Sequence, residues 1–300
     1  MTLYNKGAYV EEAVQSILGQ TYTDLELLVV DDVSTDDGLV KVKALTDPRI
    51  RILEGERNGG RAAAANRGVE ASRGEYIAFL DADDIMFPER LAKQVAYLDA
   101  HPEVTILGTC VEQLREVNTR KCWPSTHAEA LGGLIFTDAY MHPSSMVRRR
   151  FFVESGLRFD PDWRVPGMDY LFQVAVCPHV VFANLPEVLS VYRRGENNFR
   201  SGRDARADRL VIVTRVFELL RYDVSAEEVS AHVSLTGFLP ATMSVEDVNR
   251  LNRWRERLLE LNSVHRTFPQ AHFEKEVMGR WHALYHRVAD MGLWPGLAFW

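Results

Sequence analysis

Apolar positions in the first hundred residues switch between two periods. Val10, Ala13, Val14, Ile17 and Leu18 recur three and four apart, which predicts a helix over Tyr9 to Gln20. Glu26 to Val30 is a short, almost wholly apolar run, the pattern of a strand covered on both faces in a parallel sheet. The alternation then continues. A helix is expected over 36–45 with Ser34 or Thr35 as its cap, a strand over Arg49 to Leu53, a turn at Asn58-Gly59-Gly60 and a helix over Ala62 to Ala71. Tyr76 to Leu80 reads as a strand, Pro88 to Ala100 as a helix and Val104 to Thr109 as a strand. This rhythm with short loops implies an α/β fold with right-handed crossovers and a mostly parallel sheet.

Beyond residue 110 the pattern is mixed. His142 to Arg149 and Val188 to Arg193 read as strands, and Gly167 to Val176 as a short helix. From 204 onward only helical signals remain, over 205–222, 225–235, 244–261 and 269–290. In the third of these, Val245, Val248, Leu251, Trp254, Leu258 and Leu261 keep one face apolar. The expected organisation is therefore 1–110, 111–203 and a helical extension 204–300, with Gly195 to Gly202 as the junction before the extension.

Composition narrows the function classes. Thirty-five Lys and Arg against 42 Asp and Glu give a net charge of −7, the wrong sign for a nucleic-acid binder. An anionic ligand then needs local cations or a metal. Cys110, Cys122 and Cys177 are odd in number and form no CxxC pair, which reads as buried or free thiols in a reducing compartment. No apolar run approaches 18 residues, and Met1 to Lys6 carries no secretory core, so a cytoplasmic location is expected. The amphipathic C-terminal helices suit an acceptor cleft, a homodimer contact or a peripheral contact at the inner face of a membrane.

Ligands of such sheets sit at the carboxyl ends of the strands. Two acidic clusters fall there: Asp31-Asp32 after one apolar run, and Asp81-Ala82-Asp83-Asp84 after another. Hard divalent cations take oxygen ligands, a few from protein and the rest from phosphates and water, so Asp81 and Asp83 are candidate ligands for Mn²⁺ or Mg²⁺. The same aspartates also suit helix capping before Pro88. Tyr4 is placed to stack on a base, and Asp32 to accept from a pyrimidine N3–H; a core aromatic and a helix cap are the alternatives.

In order and spacing these segments resemble the family-2 inverting glycosyltransferases with the GT-A fold. The resemblance is carried by Thr2-Leu3-Tyr4-Asn5-Lys6, Ser16 to Tyr22, Glu26 to Asp32, Asn58-Gly59-Gly60-Arg61 with Asn66, and Gly74 to Asp84. His142 to Met146, the Asp169 region and Tyr192-Arg193 resemble its later motifs, so roughly residues 1–200 are covered. The resemblance implies that Thr2, Tyr4, Asp32 and Arg61 serve nucleotide binding, with Asp81 near the ribose and metal. It implies Asp83 as the direct metal ligand of the DXD motif, Asp169 as the catalytic base, and Arg193 near the diphosphate. The implied partners are a nucleotide-sugar donor of the UDP class and a saccharide or glycoconjugate acceptor.

The chemistry agrees with those roles. A departing nucleoside diphosphate concentrates negative charge that a metal stabilises. One carboxylate takes the proton of the attacking hydroxyl. In-line attack inverts the anomeric centre, and no second placed carboxylate is required. The chain departs from the family twice: the first strand looks truncated before Thr2, and Met168 stands where the family has a glutamate before the catalytic aspartate. His142 is a further acceptor-side candidate or a structural histidine. Trp254, Trp281, Trp294 and Tyr285 suit helix packing or an aromatic face for sugar or membrane. A nucleotidyltransferase would need a glycine-rich loop and a lysine at the first strand end, and neither is present. A degenerate, non-catalytic nucleotide-binding module docking a partner through its helices is the other alternative.

Overall fold

The computed structural model describes residues 1–114, 118–163, 165–193, 202–240 and 242–290. Arg194, most of the expected junction from Gly195 and Trp294 lie outside them. By contacts the chain divides into two compact units. The first holds Met1–Ala130, Ala139–Arg164 and His179–Asn198; the second holds Leu131–Asp138, Val165–Pro178 and Phe199–Trp300.

In the first unit, β1 (Thr2–Leu3), β2 (Leu27–Asp31) and β3 (Ile50–Glu54) form a parallel sheet in that order. Val29 and Val30 are buried because helices α1 (Val10–Leu18) and α3 (Gly60–Ala71) supply apolar faces: Val10, Ala13, Val14 and Ile17 from one, Ala62, Ala64, Ala65 and Val69 from the other. The short α2 (Gly38–Lys43) adds Val42 to the same core. The first strand is short, as the sequence suggests, yet it pairs with β2 through Thr2↔Val30 and Leu3↔Asp31.

A second, mixed sheet contains β4 (Tyr76–Ala78), β5 (Ile85–Met86), β6 (Ile106–Leu114), β8 (Met146–Arg148) and β9 (Phe182–Arg193) in the order β4-β8-β6-β9-β5. Strand β7 (Thr119–Lys121) pairs with β6. Only β6 and β9 run parallel; the other pairs are antiparallel. A lone parallel bridge, Thr2↔Asp81, ties the first strand to the segment after β4. His142 to Arg149, expected to be one strand, divides into a 3₁₀ turn at His142–Ser144 and the three residues of β8, because Pro143 lacks a ladder donor.

The cysteines depart from the expected free thiols. Cys110 and Cys122 form a disulfide, and only Cys177 is a free, buried thiol among the described residues. The register Val111↔Lys121 across the β6–β7 hairpin makes 110 and 122 the next facing pair. Sequence spacing does not reveal that register, and the pairing removes the cysteine argument for a reducing compartment.

Helix α4 (Arg90–Ala100), followed along the chain by the short α5 (His127–Gly133) and α6 (Arg149–Ser155), begins on a fully buried arginine. Arg90 donates to the carbonyls of Phe79, Pro143 and Ser145, to Ser190 Oγ and to Gln94 Oε1. A buried cation is tolerated only with such full hydrogen bonding, and burial still pulls its pKa down to about 9.

In the second unit, α7 (Met168–Val176), α8 (Ala205–Leu220), α9 (Ala226–Leu235), α10 (Val245–His265) and α11 (Gln270–Asp290) surround an aromatic core. Capping boxes at Ser225 with Glu228 and at Ser244 with Asp247 fix the starts of α9 and α10. Val248, Leu251, Trp254, Leu258 and Leu261 are buried within this unit, so the apolar stripe of α10 is used internally. Trp254 packs edge-on to Phe217, and Trp281 is buried too, the helix-packing role. No helix among the described residues is long and apolar enough to cross a membrane.

Candidate active site

Two strand ends of the first unit carry carboxylates, and they are held differently. Asp32 follows β2 and is buried; its two oxygens accept from the backbone amides of Gly59 and Gly60, at 2.9 and 2.8 Å. These are orphan donors at the start of α3, and a negative charge there also suits the helix dipole. Gly60 has φ +83°, a backbone conformation that glycine adopts without strain, and this aims the two amides at one carboxylate. Asn58 Nδ2 donates to the Asp32 carbonyl and closes the loop. Its neighbour Asp31 turns back on its own chain, accepting from the amides of Val33 and Ser34.

The second strand end holds Asp81, Asp83 and Asp84, whose ligand oxygens lie within 4.8 Å of one another. Arg61 Nη2 sits 3.2 Å from Asp81, and Lys6 Nζ 2.5 Å from Asp83. Asp84 is the buried member. One of its oxygens accepts the Arg193 amide at 2.9 Å, and the other, Oδ2, has no hydrogen-bond partner. Burial, then the charges of Asp81 and Asp83, push its carboxyl well above the ordinary carboxylate range. Three carboxylates, one with an orphaned oxygen, are an all-oxygen donor set suited to a hard divalent cation. The residues present therefore fit Mn²⁺ or Mg²⁺.

Thr2 is half-buried and lies beside Asp81 through the parallel bridge; Tyr4 is 48% exposed on the loop after β1. Arg193 ends β9, with its guanidinium paired to Glu12 and over the Tyr9 ring. Hence Thr2, Arg61, Asp81, Asp83 and the Arg193 backbone are brought to one cluster, while Asp32 is engaged with α3. Asp169 belongs to the second unit, at the N-terminal turn of α7, where one carboxylate oxygen lies 3.0 Å from the Tyr170 amide. His142 is buried and packed on Phe79 and Phe159. Sequence reading missed Lys6 and the separate character of Asp84. The third aspartate of the run was the only available signal for the latter; none marked the lysine.

The model of the family described as glycosyl transferase family 2 matches residues 1–155. The chain belongs to that family. Among its relatives, an uncharacterized glycosyltransferase of Haemophilus influenzae is 31% identical over 211 residues, spanning 66% of this chain and 65% of that protein. The succinoglycan biosynthesis protein ExoO of Rhizobium meliloti is 32% identical over 182 residues, 56% of this chain and 51% of its own. The matches thus span two thirds or less of these relatives. In fold the chain is similar to S. aureus TarS 1–349 in complex with UDP-GlcNAc, at TM-score 0.62 and 17% identity over 95% of this chain and 90% of that one. A Pyrobaculum calidifontis mannosyltransferase in complex with GDP-Man and Mn²⁺ follows at TM-score 0.55 and 18% identity, over 93% and 84%. The α/β architecture, mixed sheet and C-terminal helices are of the GT-A type.

Proposed function

We propose that the chain transfers a sugar, with inversion, from a nucleotide-sugar donor of the UDP class to a hydroxyl of a saccharide or glycoconjugate acceptor, using Mn²⁺ or Mg²⁺. The single observation that carries this reading is the convergence of Asp81, Asp83 and Asp84 beside the first strand of a family 2 fold. The nucleotide-binding half runs over 1–110, the acceptor half over 111–203, and the helices after 204 are an extension.

When bound, the cation supplies Lewis-acid stabilisation of the departing diphosphate, and Asp83, Asp81 and Asp84 are the residues to hold it. Tyr4 gives its exposed ring to the base, and Thr2 borders the same position. Asp32 uses a remaining lone pair for a base N–H while keeping the start of α3 in place. Arg61, Lys6 and Arg193 offset the charge of the phosphates, which an acidic protein must do locally. Asp169 removes the proton of the attacking hydroxyl.

The test is calorimetry of UDP binding with Mn²⁺ and with chelator, followed by a screen of nucleotide sugars for donor hydrolysis. Saturable binding that depends on Mn²⁺, with turnover of one donor class, is expected. Absence of heat at high protein concentration would remove the transferase reading.

A further inference from the structure

Residues Leu134, Ile135 and Phe136 of the second unit present three consecutive carbonyls, and each accepts from a different side chain. Tyr170 Oη donates to Leu134 at 2.7 Å, Arg209 Nη2 to Phe136 at 2.5 Å, and His232 Nε2 lies 3.1 Å from the Ile135 oxygen. The Phe136 ring stacks on His232 and carries the Arg280 guanidinium at 4.4 Å from its centroid. Arg209 lies over the Tyr170 ring at 5.3 Å. Two guanidinium groups thus converge on Phe136, one through its carbonyl and one through its ring.

Neither has a carboxylate within ion-pair distance among the described residues. The Nε atoms of both are buried and have no hydrogen-bond partner. Glu276, one turn before Arg280 on α11, acts on it only at longer range. Like charges brought together in a partly dry setting repel, and buried guanidinium N–H groups left unmade cost free energy. An oxyanion held between the two guanidinium groups offsets the repulsion between them.

We propose that Arg209 and Arg280 form an anion site for a phosphate or carboxylate group carried by the acceptor. The acceptor part rests on the proposed role of Asp169, which precedes Tyr170 on α7; the anion site itself does not. An acidic chain that handles an anionic acceptor needs a local cationic anchor for it, and this pair supplies one.

The test uses calorimetry on the full chain in a phosphate- and sulfate-free buffer, with UDP and Mn²⁺ saturating so that the donor region is filled. The probes are glycerol 1-phosphate, inorganic phosphate and neutral glycerol. Wild type is expected to bind glycerol 1-phosphate saturably and glycerol not at all. Arg280→Gln and Arg209→Gln should each weaken the phosphate ester at least about tenfold, with UDP affinity unchanged. Arg280→Lys, which keeps the charge and the stem, should weaken it severalfold. Arg280→Gln should also melt no lower than wild type without anion, since it removes a repulsion; a purely structural arginine would melt lower. No binding by wild type, or unchanged binding in the variants, overturns the site. Equal affinity for inorganic phosphate and the ester, with no effect of either on donor turnover, overturns the acceptor assignment. If UDP fails to bind, the same anion titration without it still reads the pair, so the two failures are separable.

Discussion

Lys6 Nζ lies 2.5 Å from Asp83 Oδ2, so an ammonium group sits on the carboxylate that the DXD reading gives to a divalent cation. Both side chains are mostly shielded from solvent, and the pair must open before Asp83 Oδ2 takes a metal. Lys6→Met is therefore expected to tighten Mn²⁺ binding without nucleotide by about fivefold, the scale of one partly exposed ion pair. It should weaken UDP, whose phosphates lose a cation. Manganese titration followed by UDP titration reads both; weaker Mn²⁺ binding in the variant would refute the competition.

Asp83→Asn keeps the volume and removes a charged ligand. Mn²⁺-dependent UDP binding should fall at least about tenfold, with donor turnover lost. Turnover at the wild-type rate would end the metal role of Asp83.

Asp169→Asn should behave in the opposite way. UDP affinity stays within about twofold of wild type while turnover drops by about 10² to 10⁴, the usual contribution of a general base. Parallel loss of both quantities would make Asp169 a structural residue of α7.

His232 is fully buried among Phe136, Phe217 and Trp254, and its pKa is lowered to about 3, first by desolvation. The folded value lies below the unfolded 6.5, so the unfolded chain binds the extra proton between them. Stability is full above pH 6.5 and declines as pH falls toward about 3, by on the order of a few kcal/mol. His232→Gln should flatten this slope in urea melts taken from pH 7 to 4. An unchanged slope would place the acid sensitivity elsewhere.

The Cys110–Cys122 bond closes a hairpin across a sequence separation of 12. Loop-closure entropy gives such a bond about 3 kcal/mol. Cys122→Ser, at the exposed end of the pair, should lower unfolding stability by that order, and reductant should bring wild type to the same level. Equal stability with and without reductant would show the bond to be dispensable.

Much of the fold is legible in the sequence because periodicity reports burial directly. Val10 to Ile17, Leu27 to Val30 and Val248 to Leu261 take the structures their spacing dictates. The carboxylate cluster is legible because Asp81, Asp83 and Asp84 are neighbours in sequence. What stays hidden depends on contacts between distant segments. Lys6 and Asp83 stand 77 residues apart, and no local pattern links them. Cys110 meets Cys122 only through the β6–β7 register. Arg280 and Arg209 look like surface charges on amphipathic helices until both are found at Phe136.

Arg90 binds Phe79 before the acidic turn and itself ends the segment after it, with its own amide on the Phe87 carbonyl. One guanidinium thus works as a keystone for residues 79 to 90, with Pro143, Ser145 and Ser190 as abutments. A lysine, with three donors on a flexible stem, spans only part of that arch. The aspartates can therefore remain intact in sequence while a change at position 90, which touches no ligand, scatters them.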